Sequence, residues 1–323
     1  MIATAFAPGS IGNVGPGFDV LGLAVEGIGD RVTVELTDGP SRVAGVTGRD
    51  AGLVPADPSR NCAAIAAIAW LRGHGDERNV VVTLDKGLPL AGGLGGSAAS
   101  SVAGAYAAFL AAGAPAAPPL ELITAALEGE TAVAGRHLDN IAASVLGGLA
   151  LSRSIDPIDA VAIPVSAPWW VAVVTPEVRI ETRAARAILP ATWPQAMWIQ
   201  QMANTTALCH AFECGDAELL GRALDDRYAE PLRSPLIPHF LEVKRAAVLN
   251  GAFGCSISGS GPTVFAIVPD QATGSRCARA MQNAFGEIRS TSHVGAIAKM
   301  GVRREHETLK RPDTRHPGPD TQT

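Results

Sequence analysis

The sequence predicts a globular protein in which α-helices and β-strands are mixed. A β-branched segment typical of a buried strand, residues 79–84, is followed by a glycine-rich loop and then by a small-residue segment typical of a helix, residues 98–109. The 323 residues are 47% hydrophobic and 18% charged, which is enough apolar material for one large or two medium domains.

The remaining elements follow from the same patterns, taken in chain order. Four further segments alternate or run apolar, as strands do: residues 1–7, 32–36, 149–152 and 170–174. Two alanine- or leucine-rich segments predict helices: residues 61–71 and 120–134.

The predicted domain organisation depends on one joint and one tail. Residues 153–167 contain two prolines and predict a joint between an N-terminal domain, residues 1–160, and a C-terminal domain, residues 161–302. Residues 303–323 are polar and poor in apolar side chains, which predicts a disordered tail.

Composition excludes several classes of protein. Acidic residues outnumber basic ones, 31 to 26, whereas a nucleic-acid binder carries a basic surface. The sequence contains no apolar run of about 18 residues, the length that would predict a membrane span. The N-terminus lacks the basic start of a signal peptide. The cysteines show no CxxC spacing, so we expect free thiols in a reducing cytoplasm: Cys62, Cys209, Cys214, Cys255 and Cys277.

The loop after the strand at 79–84 carries the strongest functional signal. It holds four glycines between Pro89 and Ser97, has no charged residue, and opens directly into a predicted helix. Glycines expose backbone N–H groups, and a helix N-terminus favours anions, so the loop is suited to phosphate. A flexible turn is the alternative. No lysine follows the glycines as in GxxxxGK[ST], and the GxGxxG pattern is absent.

Three stretches together carry a resemblance to a known family. The loop resembles the phosphate loop of the GHMP kinases, with Gly96 where the family usually has serine and with Ser97 kept. Residues 7–22 (the first motif) resemble the first motif of the homoserine kinase branch. Residues 254–267 (the third motif) resemble the segment that folds over the phosphate loop in GHMP kinases.

The resemblance implies a fold and an activity. The fold is α+β with GHMP kinase architecture: an S5-like N-terminal half with a left-handed βαβ crossover, and a ferredoxin-like C-terminal half. The activity is transfer of phosphate from ATP, with Mg²⁺, to the hydroxyl of L-homoserine on the route to threonine. The enzyme would act on a small molecule in the cytoplasm, without nucleic acid or membrane, as a monomer or a homodimer. Another GHMP kinase, acting on a sugar or a mevalonate-type alcohol, and a non-catalytic ligand-binding regulator are the alternatives.

The resemblance also implies which residues meet ATP and the metal. The phosphate loop would contact the nucleotide through Pro89, Gly92, Gly93, Leu94, Gly95, Gly96, Ser97, Ala98 and Ala99. Asn61 is either a base contact or a helix N-cap, and Lys86 either a nucleotide contact or a solvated charge. Ser97 and Glu130 would hold Mg²⁺, with Glu128 as the alternative carboxylate.

Substrate contacts are implied in the same way. Two arginines, Arg186 and Arg233, suit a carboxylate because guanidinium binds it bidentately. Asp19 with Asn13 would hold the ammonium. The hydroxyl would lie near His137 and Asn140, where Asp139 acts as a base or Asn140 only orients the hydroxyl. The remaining predicted substrate contacts are Thr182, Ser258, Gly259, Ser260 and Gly261.

Overall fold

The computed structural model describes residues 1–115 and 118–305, which form two sheets covered by helices. The N-terminal half contains, in chain order, β1 (Ile2–Gly12), β2 (Leu21–Thr37), β3 (Arg42–Gly48), α1 (Cys62–Gly73), β4 (Asn79–Lys86), α2 (Gly96–Ala112), α3 (Pro119–Val133), α4 (Asp139–Leu146), β5 (Leu149–Ile155) and β6 (Ile158–Ile163).

The C-terminal half begins after a short connection. Its elements are β7 (Trp170–Pro176), α5 (Thr182–Ala187), α6 (Gln195–Cys214), α7 (Ala217–Ala223), α8 (Glu230–Arg233), α9 (Phe240–Leu249), β8 (Gly254–Ile257), β9 (Val264–Val268), α10 (Gln271–Ala284), β10 (Ser290–Ala296) and β11 (Arg303–Glu305).

The two sheets differ in topology. In the first, the path β11-β1-β2-β4-β3 is extended by β5, which pairs with β2 and β6. β3 and β4 run parallel and are joined through α1, which makes a βαβ unit; the hand of this crossover stays a prediction. The second sheet is antiparallel with order β10-β7-β9-β8, which is the ferredoxin-like arrangement predicted for the C-terminal half.

The first strand runs farther than the sequence predicted. β1 continues through Gly12 and stays paired with β2, with a register shift between Pro8 and Gly9. These glycines serve close packing rather than a turn. A methyl group on Gly9 would lie 2.7 Å from Leu88, and one on Gly12 would lie 2.6 Å from Asp139. Much of the first motif therefore lies in a strand that passes directly beneath the phosphate loop.

Two predicted irregular segments contain strands. Residues 153–163 of the predicted joint belong to the hairpin of β5 and β6, which turns at Asp156-Pro157 and pairs within the first sheet. Residues 303–305 of the predicted tail form β11 and pair with β1. The rest of that tail, residues 306–323, lies outside the described residues. The boundary between the two domains stays a prediction.

Three helices pack closely against one another. A methyl group on Gly104 of α2 would lie 2.3 Å from the Ala63 carbonyl oxygen, and one on Gly129 of α3 would lie 2.5 Å from the Cys62 carbonyl oxygen. Small residues let helix backbones approach, because no side chain separates them. The start of α1 thereby meets the middle of α2 and the last turns of α3. In the described part of the chain, no helix combines the length and apolar character needed to cross a bilayer.

Candidate active site

The phosphate loop adopts the conformation expected of an anion-binding loop. It leaves β4 at Lys86 and enters α2 at Gly96, two residues before the predicted helix start. Backbone φ is positive at Ala91, Gly93 and Gly95, and Gly95 is the N-cap of α2. Such a backbone turns N–H groups to one side, and the helix N-terminus adds its unpaired donors.

Gly96, where the family usually has serine, lies against the inner side of the loop. A methyl group there would lie 3.2 Å from the Pro89 carbonyl oxygen and 3.4 Å from the Lys86 ammonium nitrogen. A side chain at this position would therefore have to displace its neighbours slightly. The loop forms without it.

The third motif packs directly on the phosphate loop. The Ser258 hydroxyl donates a hydrogen bond to the Gly93 carbonyl oxygen at 2.5 Å, and the Thr263 hydroxyl donates to the Gly92 carbonyl oxygen. A methyl group on Gly93 would lie 2.5 Å from the Ser258 carbonyl oxygen, so only glycine fits this contact. The C-terminal half therefore holds the loop in place from above.

Glu130 and Ser97 lie together, as the metal prediction requires. Glu130 is buried, and burial raises the pKa of its carboxyl to about 7, partly offset by the Ser97 hydroxyl. Its Oε2 atom has no hydrogen-bond partner among the described residues. Mg²⁺ prefers carboxylate and hydroxyl oxygens and completes its shell with phosphates and water, so an unpaired buried carboxylate oxygen here fits a cation.

Glu128, the alternative ligand, faces elsewhere. It lines a groove of about 320 Å³ between α1 and α3, together with Trp70 and His74. Among residues 1–115 and 118–305, no three His, Cys, Asp or Glu side chains converge as a metal cluster. A cation in this site would therefore depend on Glu130, Ser97 and the phosphates of a nucleotide.

Asn61 and Lys86 have buried structural partners. The Asn61 side chain caps α1 by accepting from the N–H groups of Ala63 and Ala64. Lys86 is neither solvated nor free: its ammonium forms an ion pair with buried Asp30 and also donates to the Gly96 carbonyl oxygen and the Ser100 hydroxyl. The bonded geometry of both residues argues against the direct nucleotide contacts predicted for them.

A polar network connects the first motif with the start of α4. The Asn13 backbone N–H donates to Asp139 at 3.2 Å, and the Ser10 hydroxyl donates to the Asn140 side-chain oxygen at 2.9 Å. A methyl group on Gly95 would lie 2.7 Å from that same Asn140 oxygen. Asn140 therefore lies beside the helix-proximal end of the phosphate loop, and Asp139 lies against the first motif.

Asp139 is buried with few compensating groups. Burial, followed by the negative charge of Asp19, raises the pKa of its carboxyl to about 6, while hydrogen bonds from Asn140 and Asn13 lower it. The unfolded carboxyl ionises near pH 3.8. Ionisation therefore costs the folded state free energy, and the free energy of unfolding should fall as pH rises from about 4 to about 6.

Asp139→Asn should remove this pH dependence. At pH 4 the variant and the wild type should be about equally stable. At pH 8 the variant should be more stable by up to roughly 3 kcal/mol, because the amide has no charge to bury. Urea unfolding of both proteins at pH 4, 6 and 8 measures the difference. Parallel stability curves would show that Asp139 is not strained by burial.

Asp19 and Arg186 pair with each other, which the sequence prediction did not include. The guanidinium bonds both carboxylate oxygens, at 2.7 and 2.8 Å, across 167 residues of chain. His137 Nδ1 lies 3.4 Å from Arg186 and 3.9 Å from Asp19. The groups predicted to hold a substrate's ammonium and carboxylate therefore neutralise each other in the protein alone.

Arg233 is buried beside this pair. It donates to the carbonyl oxygens of Ala185, at 3.2 Å, and Gly259, at 2.9 Å. Burial and the nearby Arg186 charge lower the pKa of Arg233. Both guanidiniums lie over the Phe18 ring, 5.2 Å (Arg186) and 5.3 Å (Arg233) from its centroid. Two cations held so close together favour an anion between them.

Other predicted substrate residues lie near this charged cluster. The hydroxyls of Thr182 and Ser260 are 3.3 Å apart, which joins α5 to the third motif. Glu181 is the N-cap of α5, and Thr182 is the first residue of the helix. Asn13 Nδ2 donates to the Gly259 carbonyl oxygen at 3.0 Å, and the Gly261-Pro262 peptide bond is cis.

Sequence reasoning missed three residues of this region. Asp30 supports the loop from β2, and Phe18 with Tyr228 supports the arginines, the two rings meeting edge to face at 5.1 Å. Phe18 lies within the first motif, so its position beside Asp19 was the one available signal. All five cysteines are free, as predicted.

Gly95→Ala should weaken nucleotide binding. The added methyl group would lie 2.4 Å from the Ser10 hydroxyl oxygen, and alanine disfavours the φ of +62° at this position. The loop end must shift, so the KM for ATP should rise at least about tenfold, or about 1.4 kcal/mol. Steady-state kinetics with varied ATP, alongside a melting curve, measures this. A folded variant with an unchanged KM for ATP would place the nucleotide elsewhere.

The chain is similar to known proteins over most of its length. The chain matches the model of the GHMP kinases N terminal domain over residues 61–148 and that of the GHMP kinases C terminal over residues 206–287. A homoserine kinase of Chlorobium phaeobacteroides (strain BS1) is 38% identical over 93% of this chain and 98% of its own length. A homoserine kinase of Pyrococcus abyssi is 43% identical over 81% of this chain and 86% of its own length.

A solved structure is equally similar. The crystal structure of homoserine kinase from Cytophaga hutchinsonii is 38% identical and superposes with a TM-score of 0.89, covering 94% of this chain and 97% of that one. The α+β fold with one mixed and one antiparallel sheet is thus the fold of that enzyme. On the family models, the full-length relatives and the structural match, the chain belongs to the GHMP kinase family and, within it, to the homoserine kinases.

Proposed function

We propose that the protein transfers the γ-phosphoryl group of ATP to the side-chain hydroxyl of L-homoserine, giving ADP and O-phospho-L-homoserine. The observation that carries this proposal is the adjacency of two sites. The phosphate loop ends beside Asn140, whose neighbour Asp139 accepts a hydrogen bond from Asn13. Asn13 in turn accepts one from the Asp19 backbone, and Asp19 belongs to a cluster of one carboxylate and two guanidiniums, with Arg186 and Arg233.

The phosphate loop supplies the anion site for ATP. Backbone N–H groups near Gly93 and Gly95 and the N-terminus of α2 neutralise phosphate oxygens. Mg²⁺ bound to Ser97 and Glu130 would offset charge on the β- and γ-phosphates. The third motif fixes the loop through Ser258, which keeps its amides aimed before the nucleotide arrives.

The substrate pocket suits a zwitterion because Asp19 and Arg186 are paired with each other, while Arg233, among the described residues, is bonded only to carbonyl oxygens. An α-ammonium group can take the place of Arg186 on Asp19, and the α-carboxylate then receives the released guanidinium together with Arg233. A ligand with only one of the two charges would leave Asp19 or Arg186 unpaired. Thr182 and Ser260 lie near this pocket as further hydrogen-bonding groups.

The hydroxyl of the substrate would lie between this pocket and the phosphate loop. Asn140 would orient it, and the hydrogen bond from Ser10 to the Asn140 side-chain oxygen would hold that side chain in position. Asp139, with its pKa raised to about 6, is ionised near pH 7 and able to accept the hydroxyl proton as the oxygen attacks phosphorus.

A coupled assay of ADP release tests the proposal against its alternatives. L-homoserine, L-threonine, mevalonate and galactose are compared at equal concentration with MgATP. Rapid ADP release with homoserine, and not with the other three compounds, supports the proposed reaction. Rapid turnover of mevalonate or galactose would assign another GHMP activity, and ligand binding without ADP release would indicate a regulator.

We also propose where and how the enzyme works. Five free cysteines and a net charge of −5 suit a cytoplasmic enzyme with a small-molecule substrate rather than a nucleic acid. The assembly is a monomer or a homodimer, which light scattering after gel filtration distinguishes.

A further inference from the structure

The two ends of the phosphate loop converge on one buried cluster beneath it, formed by Asp30, Lys86 and Ser100 (the Asp30 cluster). Asp30 lies in β2, Lys86 ends β4, and Ser100 lies in the first turns of α2. All three side chains are buried, with Asp30 fully inaccessible. The cluster therefore lies on the protein side of the loop, opposite the face that receives phosphate.

Asp30 holds the entry to the loop. Its Oδ1 atom accepts hydrogen bonds from the backbone N–H groups of Gly87, at 3.0 Å, and Leu88, at 3.1 Å. A methyl group on Gly87 would lie 2.1 Å from the Gly29 carbonyl oxygen, so the chain is pressed against β2 at this point. The first two residues after β4 are thus fixed in position.

The other carboxylate oxygen holds the exit. Asp30 Oδ2 accepts from the Ser100 hydroxyl at 2.6 Å and from the Lys86 ammonium. Lys86 in turn donates to the Gly96 carbonyl oxygen, at 3.0 Å, and to Ser100, at 3.0 Å. The first turns of α2 are thereby tied to the same carboxylate as the loop entry.

Stability alone does not explain such a cluster. The free energy that a buried ion pair loses in hydration is about as large as the free energy that it gains in attraction. Apolar residues of similar size therefore often stabilise a fold equally well. A buried ion pair with hydrogen bonds to its neighbours adds directional constraints, because each bond fixes one backbone or side-chain group relative to another. Here the groups fixed are those on either side of the phosphate loop.

We propose that Asp30 and Lys86 are positioning residues for the nucleotide, which set the distance between the two ends of the phosphate loop and so the aim of its N–H groups. The proposal rests on the proposed ATP site and adds residues that do not touch the ligand. It predicts that losing the cluster weakens ATP binding even where the fold recovers.

Four variants test this: Lys86→Met, Asp30→Asn/Lys86→Met, Ser100→Ala and, as a matched control, Lys299→Met at an exposed lysine. Isothermal titration with a non-hydrolysable ATP analogue and Mg²⁺, without homoserine, gives the Kd; melting curves give stability. Lys86→Met leaves the buried Asp30 carboxylate without its cation and should have the lowest melting temperature. The double variant should regain most of that loss, yet bind the analogue at least tenfold more weakly than wild type, with a KM for homoserine within twofold.

The double variant separates positioning from a purely structural role. Wild-type affinity for the analogue in a double variant that melts near wild type would overturn the proposal, as would a parallel rise in both KM values. If neither Lys86 variant folds, Ser100→Ala decides: a several-fold weaker Kd supports the proposal, and an unchanged Kd overturns it. ADP release by the wild-type protein with homoserine is measured in a separate assay. Failure of the proposed reaction is therefore distinguished from failure of the positioning role.

Discussion

Replacing Arg233 with alanine should lower kcat/KM for L-homoserine by about 10² or more. A buried hydrogen bond to a charged group contributes roughly 1.5–3 kcal/mol, and the carboxylate left without it loses more. Arg233 is buried near Arg186. Water therefore has little access to replace the hydrogen bonds that the Arg233 side chain would lose. Kinetics with varied homoserine at saturating ATP measure the loss, which should appear mainly as KM.

A matched pair on α5 sharpens this test. Arg186→Ala removes a guanidinium that faces the pocket, whereas Arg183→Ala removes an exposed one from the same helix. The first should match the loss in Arg233→Ala, and the second should leave kcat/KM within about twofold. Homoserine lactone, which lacks a free carboxylate, should bind poorly to wild type. Full activity in Arg233→Ala would remove this arginine from the substrate site.

Glu130→Gln should reduce kcat by at least about 10² and increase the Mg²⁺ concentration needed for half-maximal rate. The amide keeps the shape of the side chain but removes the charge that a divalent cation requires, and loss of metal-assisted charge neutralisation costs several kcal/mol in the transition state. Rates measured across a Mg²⁺ titration at saturating ATP and homoserine give both quantities.

Glu128→Gln is the matched control, two residues earlier on α3. Its side chain faces the groove between α1 and α3, so kcat and the Mg²⁺ requirement should stay close to wild type. If Glu128→Gln abolished turnover while Glu130→Gln did not, the role of Mg²⁺ ligand would have been assigned to the wrong carboxylate.

Local patterns made the glycine loops predictable, because positive φ and close backbone approach are properties of single residues. The N-cap role of Asn61, one of the two roles predicted for it, is confirmed for the same reason. Pairings over long distances were not predictable: Asp19 meets Arg186 across 167 residues, and Asp30 meets Lys86 across 56. Each charge alone suggests a solvated side chain or a ligand contact, and only the fold shows its partner.

The extent of β1 was underestimated for a related reason. Proline and glycine at positions 8 and 9 indicate a turn by themselves, but here the close contact with Leu88 keeps the chain extended beneath the loop. Helix α4, which carries Asp139 and Asn140, has only eight residues and was not predicted as a helix. Its position depends on packing against β1 and β2 rather than on its own periodicity.

The backbone of Gly259 makes hydrogen bonds to both halves of the site. Its carbonyl oxygen accepts from Asn13 and from Arg233, and its N–H donates to the Gly12 carbonyl oxygen, while the preceding Ser258 hydroxyl bonds the phosphate loop. One residue thus links the proposed nucleotide site to the proposed amino-acid site. Binding of each ligand should therefore change the affinity for the other, and thermodynamic reciprocity requires the two changes to be the same factor.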